Sequence, residues 1–143
     1  MGKFQSTKLF DGFSCVFRQW KAKDTHCRFM HGYGVSFRVW FEGSLDDRNW
    51  VWDFGGMKRA QTKIDGMNPK AWMDYMFDHT ILVAKDDPML KLINELEHNQ
   101  IAQVRVVEAT GAEKFAEFIF NKLDKFVRYE TDGRVRVAKV EFM

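Results

Sequence analysis

The sequence predicts an α+β sandwich: strands that can pair antiparallel, with helices packed on one face. Three observations point there. Stretches near both ends alternate apolar and polar residues with period two, and a segment after residue 110 repeats large apolar residues at helical spacing. The elements then follow in the order β-β-β-α, loop, α-β-α-β, so that neighbouring strands can pair antiparallel. With 143 residues, 45% of them hydrophobic and 15% aromatic, the chain can fill one core but not two, and a single domain over 1–143 is expected.

Residues 8–19, KLFDGFSCVFRQ, read as the first strand, with Phe13, Cys15 and Phe17 on one face. Residues 34–42, GVSFRVWFE, alternate more clearly: Val35, Phe37, Val39 and Phe41 share a face opposite Ser36, Arg38, Trp40 and Glu42. After a turn at 43–48, NWVWDF reads as a third short strand. It ends at Gly55-Gly56, beyond which Met57, Ala60 and Ile64 recur at helical spacing. Residues 67–87 are irregular but rich in large apolar side chains, which predicts an ordered, packed loop. Pro88 suits the first turn of a short helix, PMLKLINELEHN, and IAQVRVVE reads as a fourth strand.

From Thr110, the segment TGAEKFAEFIFNKLDKF places Phe115, Phe118, Ile119, Leu123 and Phe126 on one face. Thr110, three residues ahead of Glu113, forms a plausible capping box. The chain closes with RVRVAKVEFM, a strand whose one face carries Val135, Val137, Lys139 and Glu141.

Composition removes several function classes. The 22 basic and 20 acidic side chains leave a formal charge of +2, too balanced for a nucleic-acid surface. No apolar run approaches the roughly 20 residues that span a bilayer, and MGKFQSTKLF lacks a hydrophobic signal core, so no membrane partner is expected. Met1-Gly2 with Ser6 matches an N-terminal acylation pattern, but so short a pattern recurs by chance and Phe4 reads better as strand. The two cysteines, Cys15 and Cys27, are too few for a disulfide framework and fit a reducing, cytoplasmic setting.

Four features carry chemistry. In CRFMH, Cys27 and His31 are four residues apart, a spacing open to a nucleophile with its base or to a buried thiol beside a turn histidine. In Asp78-His79 an aspartate can fix a histidine tautomer, although adjacent side chains often point apart. Glu141 puts a carboxylate on a valine-lined strand face, where a ligand with adjacent N–H donors would satisfy it; an exposed edge position paired with Lys139 or an arginine is the other reading. Trp40, Trp50 and Trp52 could stack on a flat ligand or serve the core or an interface.

Their order is more specific than any one of them. FSCVF, CRFMHGYG, a valine-rich strand, VWDFGGMK, DHTIL, GAEKFAEFI and a closing VEF together resemble the 6-pyruvoyl-tetrahydropterin synthase and 6-carboxytetrahydropterin synthase family, which reads FxAAH, CxxxHGHxY, DFxxLK, DHxxLN, NPTAEN and a closing strand with a glutamate. The resemblance spans nearly the whole chain. It implies a T-fold, a four-stranded antiparallel sheet with helices on one face, whose sheet joins those of neighbours in an oligomeric barrel, commonly a homohexamer built as a dimer of trimers, with active sites between subunits. The substrate it implies is dihydroneopterin triphosphate or a related pterin of the tetrahydropterin or queuosine and deazapurine pathways, the reaction class a lyase. By position, Cys27 is then the general base, Asp78 and His79 a pair supplied by a neighbouring subunit, and Glu141 the pterin anchor, with Glu113 the glutamate retained from NPTAEN.

The zinc triad of that family matches less well. Phe17 stands where FxAAH ends in histidine, and Tyr33 where HGH has its second histidine, which leaves His31 alone as a weak remnant. One imidazole does not hold Zn²⁺ where stable sites use three or four protein ligands. A rearranged set of Cys15, His26 and His31 is conceivable. The resemblance therefore implies either a pterin enzyme with a degenerate zinc site or a catalytically impaired T-fold protein that binds a pterin or purine-like ring or serves as a regulatory subunit.

Overall fold

The computed structural model describes residues 3–143; the acylation pattern begins on Met1 and Gly2, outside them, while Phe4 is indeed the first strand residue. Five strands form one sheet: β1 (Phe4–Phe17), β2 (His31–Gly43), β3 (Thr80–Ala84), β4 (Val104–Val107) and β5 (Val135–Phe142). Their spatial order is β4-β3-β1-β2-β5. The β1–β2 and β2–β5 pairs are antiparallel, and β1–β3 and β3–β4 are parallel. The sheet is thus mixed, not the four antiparallel strands that the family resemblance implies.

Strand β3 comes from the segment read as a loop. Within 67–87 the chain forms a helix and a strand. Asn68 accepts a hydrogen bond from the Ala71 N–H at 2.8 Å, and Pro69 fills the first helical position, where its missing N–H costs nothing. Helix α2 (Pro69–Phe77) follows after the single turn α1 (Gly56–Arg59). TILVA then forms β3, paired on both edges and mostly buried. A strand covered on both faces has no alternation to betray it.

Parallel β3 and β4 need a crossover, supplied by α3 (Leu90–His98), with Pro88 in the turn before it. Ile81 and Val83 pack with Leu90 and Ile93 of α3, whereas Leu82 faces the main core. So α3 covers the opposite face of the sheet from the remaining helices. The expectation of helices on one face holds for α2 and for α4 (Ala112–Glu130) but not for α3. NWVWDF is not a strand either: residues 51–54 run through turns, and Val51 and Trp52 are buried because their aromatic and apolar bulk packs without a ladder. The helix expected through Ile64 stops after Arg59, yet Ala60 and Ile64 still reach the core.

Two irregularities in the long strands decide which side chains face where. In β1 the register shifts between Phe10 and Phe13. Gly12 there takes φ +84, a left-handed conformation cheap only without a Cβ. This bulge lets Phe10, Phe13, Cys15 and Phe17 all point inward against Val35, Phe37, Val39 and Phe41. The second shift lies in the β2–β5 ladder, at Trp40/Phe41. It moves Lys139 and Glu141 off the face of Val135 and Val137, and Val140 and Phe142 take the inner side. Glu141 therefore does not share the valine face; it is exposed and pairs in register with Arg38.

The end of β1 is tied to the loop after β3 by Arg18. Its Nε–H donates to Asp87 Oδ2 at 2.9 Å and an Nη–H to Oδ1 at 2.5 Å, with the Asp87 side chain only 1% exposed. Asp87 also accepts from the Met89 N–H. The expected capping box is absent: the Thr110 hydroxyl donates to the Arg18 carbonyl at 2.6 Å, and Gly111, with φ +119, caps α4 without a side chain. No helix among the described residues is long and apolar enough to cross a membrane.

The Arg18 hydrogen bond, opposed by burial, holds the Asp87 carboxyl below the usual carboxylate range. A depressed folded-state pKa contributes stability that is complete above about pH 4 and drains away as the pH falls through that range. Asp87→Asn should cost about 2–3 kcal/mol at neutral pH. In urea titrations that deficit should shrink below about pH 4, where the wild-type carboxylate is itself being protonated.

Candidate active site

Asp78 and His79 lie where α2 ends and β3 begins. His79 adopts φ 58, and its Nδ1 sits 3.1 Å from Asp78 Oδ2. The other carboxylate oxygen accepts the Ser14 N–H at 3.1 Å, and the His79 N–H donates to the Ser14 carbonyl at 2.6 Å. Both backbone groups of one β1 residue thus fix the dipeptide. The two side chains point together, so the carboxylate can set the imidazole tautomer while Nε2 is left for chemistry. His79 is 79% exposed and Asp78 31%, so the working edge faces outward from this chain. The sequence offered no signal for Ser14, because the contact spans 64 residues.

Cys27 sits in a 3-10 turn, His26–Arg28, in the connection from β1 to β2. The Thr25 hydroxyl caps the turn by accepting the Cys27 N–H at 3.1 Å, and the Cys27 carbonyl accepts the Gln19 N–H at 2.7 Å. The thiol is exposed. From Ser14 to Gln19 is five residues, on the order of 15 Å of extended chain. Proton transfer needs about 3 Å, and among the described residues no three His, Cys, Asp or Glu side chains are gathered closely enough to hold one ion, so this chain does not bring Cys27 onto its own Asp78–His79 pair. Glu113, in the first turn of α4, shares the Cys27 end of the molecule, because Gly111 abuts Gln19 and Thr110 binds Arg18. A cleft of about 350 Å³ opens there between Gln19, Trp20, Asp86 and Thr110.

The three residues at the zinc positions do converge. Phe17 and Tyr33 stack with ring centroids 4.4 Å apart, and His31 stands edge-on to Tyr33 at 4.9 Å. Phe115 closes the cluster edge-on to Phe17 at 4.9 Å. A phenyl ring has no donor, a phenol rarely coordinates, and one imidazole remains where stable sites need three or four ligands. These side chains do not fit a zinc ion. The rearranged set fails as well: among the described residues no three His, Cys, Asp or Glu side chains are placed to hold a metal. Burial pushes the Cys15 thiol up to about 11, with the Asp78 charge adding to the effect, so it stays protonated and is neither nucleophile nor ligand.

Glu141 reaches this region through its neighbour. The Phe142 ring lies 5.4 Å from Phe115, itself against Phe17, while the Glu141 carboxylate emerges on the other side of the sheet. The tryptophans divide: Trp52 packs with Phe41 and Phe126, Trp40 lies under Lys139, and Trp50 lies under Arg48. A cavity of about 500 Å³ between Phe4, Leu45, Trp50 and Phe54 lies at the opposite end of β1 from Phe17 and is lined by none of the candidate catalytic residues.

The sheet and these positions can be set beside known proteins. No curated protein matches the chain. Among solved structures, an uncharacterised protein from Wolinella succinogenes shares the fold with a TM-score of 0.77 at 20% identity, covering 100% of this chain and 93% of that one. The 6-pyruvoyl tetrahydropterin synthase of Caenorhabditis elegans follows at 0.57 and 16% (97% and 96% covered), and that of Plasmodium falciparum at 0.56 and 12% (97% and 98% covered). At such identities the likeness shows the fold, a T-fold with a mixed five-stranded sheet. A sequence model of 6-pyruvoyl tetrahydropterin synthase matches residues 7–143, and the chain belongs to that family.

Proposed function

We propose that the protein binds dihydroneopterin triphosphate or a related pterin and works on it as a 6-carboxytetrahydropterin-synthase-like lyase of the tetrahydropterin or queuosine and deazapurine pathways, without a resident zinc ion. The observation that carries this reading is the closed Asp78–His79 pair, held at 3.1 Å on both backbone groups of Ser14. A relic would have no reason to keep an exposed imidazole so fixed. In the proposed reaction the Cys27 sulfur takes a proton from the pterin side chain. His79, oriented by Asp78, exchanges protons with the side-chain oxygens, and Glu141 accepts the ring N–H groups.

Assembly is part of the proposal, as a homohexamer of two trimers. Cys27 and its own dyad are too far apart to act together, so a dyad from a neighbouring subunit would complete each site. The sheet supports this: β1 meets β3 only over Cys15–Phe17, leaving the edge of its first half without a partner among the described residues, and β5 has a partner on one side only. Such open edges invite pairing. An exposed Cys27 and a buried, unpaired Cys15 support a reducing, cytoplasmic setting.

The Phe17–Tyr33 stack favours a second reading, an impaired relative that binds a pterin or purine-like ring and regulates others. Metal polarisation of a developing oxyanion supplies several kcal/mol, and each 1.4 kcal/mol is about tenfold in rate. Product analysis after incubation with dihydroneopterin triphosphate decides between them: turnover supports the lyase, and binding without turnover supports the regulator.

Two variants test the residues. Glu141→Ala should weaken pterin binding about ten- to a hundredfold by calorimetry, the worth of a charged hydrogen bond; unchanged affinity would refute the anchor assignment. Phe17→His/Tyr33→His, folded by circular dichroism, should retain one equivalent of zinc after dialysis while the wild type retains none. Stoichiometric zinc in the wild type would overturn the metal-free reading.

A further inference from the structure

Helix α2 ends on a left-handed residue, His79 at φ 58, one position after the Asp78 cap. A helix that stops this way ordinarily closes on itself: the backbone N–H groups of the left-handed residue and of the next one turn back onto the last free carbonyls. In α2 those carbonyls belong to Tyr75 and Met76, and side chains occupy both. The Arg105 Nε–H donates to the Tyr75 carbonyl at 2.8 Å, and the Thr80 hydroxyl donates to the Met76 carbonyl at 2.8 Å. The His79 N–H is thereby released from the helix and donates to the Ser14 carbonyl of β1 at 2.6 Å.

Both side chains are fixed where they act. Thr80 is 4% exposed, and a hydroxyl buried to that extent is held by its acceptor. The Arg105 side chain is 11% exposed, its guanidinium lies 3.5 Å from the Tyr75 ring centroid, and its backbone pairs with Leu82 in the β3–β4 ladder. A guanidinium suits this double contact, because its plane stacks on a ring while its edge donates. Just ahead of β4, the Gln103 side-chain amide donates to the His79 carbonyl at 3.2 Å.

We infer that Arg105 and Thr80 are positioning residues for the Asp78–His79 pair: by capping α2 in place of the backbone, they let the His79 N–H reach β1. Neither makes a hydrogen bond to the imidazole, and their effect passes through the main chain. Without them the open carbonyls of Tyr75 and Met76 draw the His79 N–H back to the helix. The ring then swings off Asp78 Oδ2, and the proton on Nδ1 is no longer fixed.

Heteronuclear NMR spectra of the imidazole nitrogens in the full chain, with His79 assigned through His79→Gln, test the inference without any ligand. Neutral wild-type His79 should be almost wholly the Nδ1–H tautomer. Thr80→Val and Arg105→Leu should shift it toward the Nε2–H form that free imidazole side chains favour, and should speed exchange of the His79 amide about tenfold. Thr80→Ser, which keeps the hydroxyl, should match the wild type. Asp87→Asn is the control, since it lowers stability beyond the other end of β3 without touching either carbonyl. An unchanged tautomer in Thr80→Val and Arg105→Leu, or an equal shift in Asp87→Asn, would overturn the inference. Thermal melts establish that each variant folds, and Thr80→Val, which matches the native residue in shape, carries the test should Arg105→Leu not fold. The consequence for chemistry rests on the pterin reading: with dihydroneopterin triphosphate, Thr80→Val should lower kcat about tenfold and leave KM unchanged. A fixed tautomer in a wild type that shows no turnover would refute the lyase reading and leave the positioning role standing.

Discussion

Phe115 holds the architecture of the candidate site together. Its ring, fully buried on the first turns of α4, meets Phe17 at 4.9 Å, Phe142 at 5.4 Å and Phe77 at 5.9 Å. Those three rings belong to the end of β1, the end of β5 and the end of α2. Each immediately adjoins a functional segment: Phe17 leads into the Cys27 connection, Phe142 follows Glu141, and Phe77 precedes Asp78. Aromatic side chains bury large areas and prefer such edge and offset contacts, each worth about 0.5–1.5 kcal/mol beyond burial. One helix residue therefore sets the relative placement of elements 60 to 125 residues apart in sequence, and the polar contacts only refine what the rings have fixed.

The same rings show how the fold holds these strand ends together with Phe17 and Tyr33 in place of metal ligands. A metal cluster at the mouth of β1 and β2 would join the two strands through imidazoles; here Phe17, Tyr33 and His31 join them through ring contacts. An aromatic cluster needs no deprotonated ligands and no desolvated cation, so the buried Phe17 and Phe115 rings, with half-buried Tyr33 stacked on Phe17, stabilise the strand ends by burial and ring contact. What it cannot do is polarise an oxygen. Of the two jobs a catalytic metal could do there, holding strands and activating substrate, ring contacts can do only the first.

Much of this was legible from sequence, and the failures have physical causes. β2 and α4 were readable because one face of each is buried and the other wet, which prints a clean period. TILVA was missed because β3 is covered on both faces, so it carries no period at all, and NPKAWMDYMF because its cap signal, Asn68-Pro69, opens a helix of only nine residues. NWVWDF misled through composition: aromatic bulk suits a strand, but here it packs as a turn. The face of Glu141 could not be read either, since a single register shift opposite Trp40/Phe41 reverses every position after it. Motif order was the most durable signal. It placed Phe17, His31 and Tyr33 together, as their ring contacts do in the fold.

The dyad remains the sharpest constraint on how the molecule could act. Fixing a carboxylate and an imidazole costs side-chain entropy, and two backbone hydrogen bonds to Ser14 are what offset it. That cost is repaid only where the imidazole works in a water-poor setting, since solvent screens the carboxylate's influence and competes for the proton. In the isolated chain His79 stands 79% exposed, with the unpaired edge of β1 running up to it. The residue that needs cover and the backbone that needs a partner lie on the same border of the sheet. A second chain adding a strand there would satisfy both at once, completing a ladder and closing water away from the imidazole.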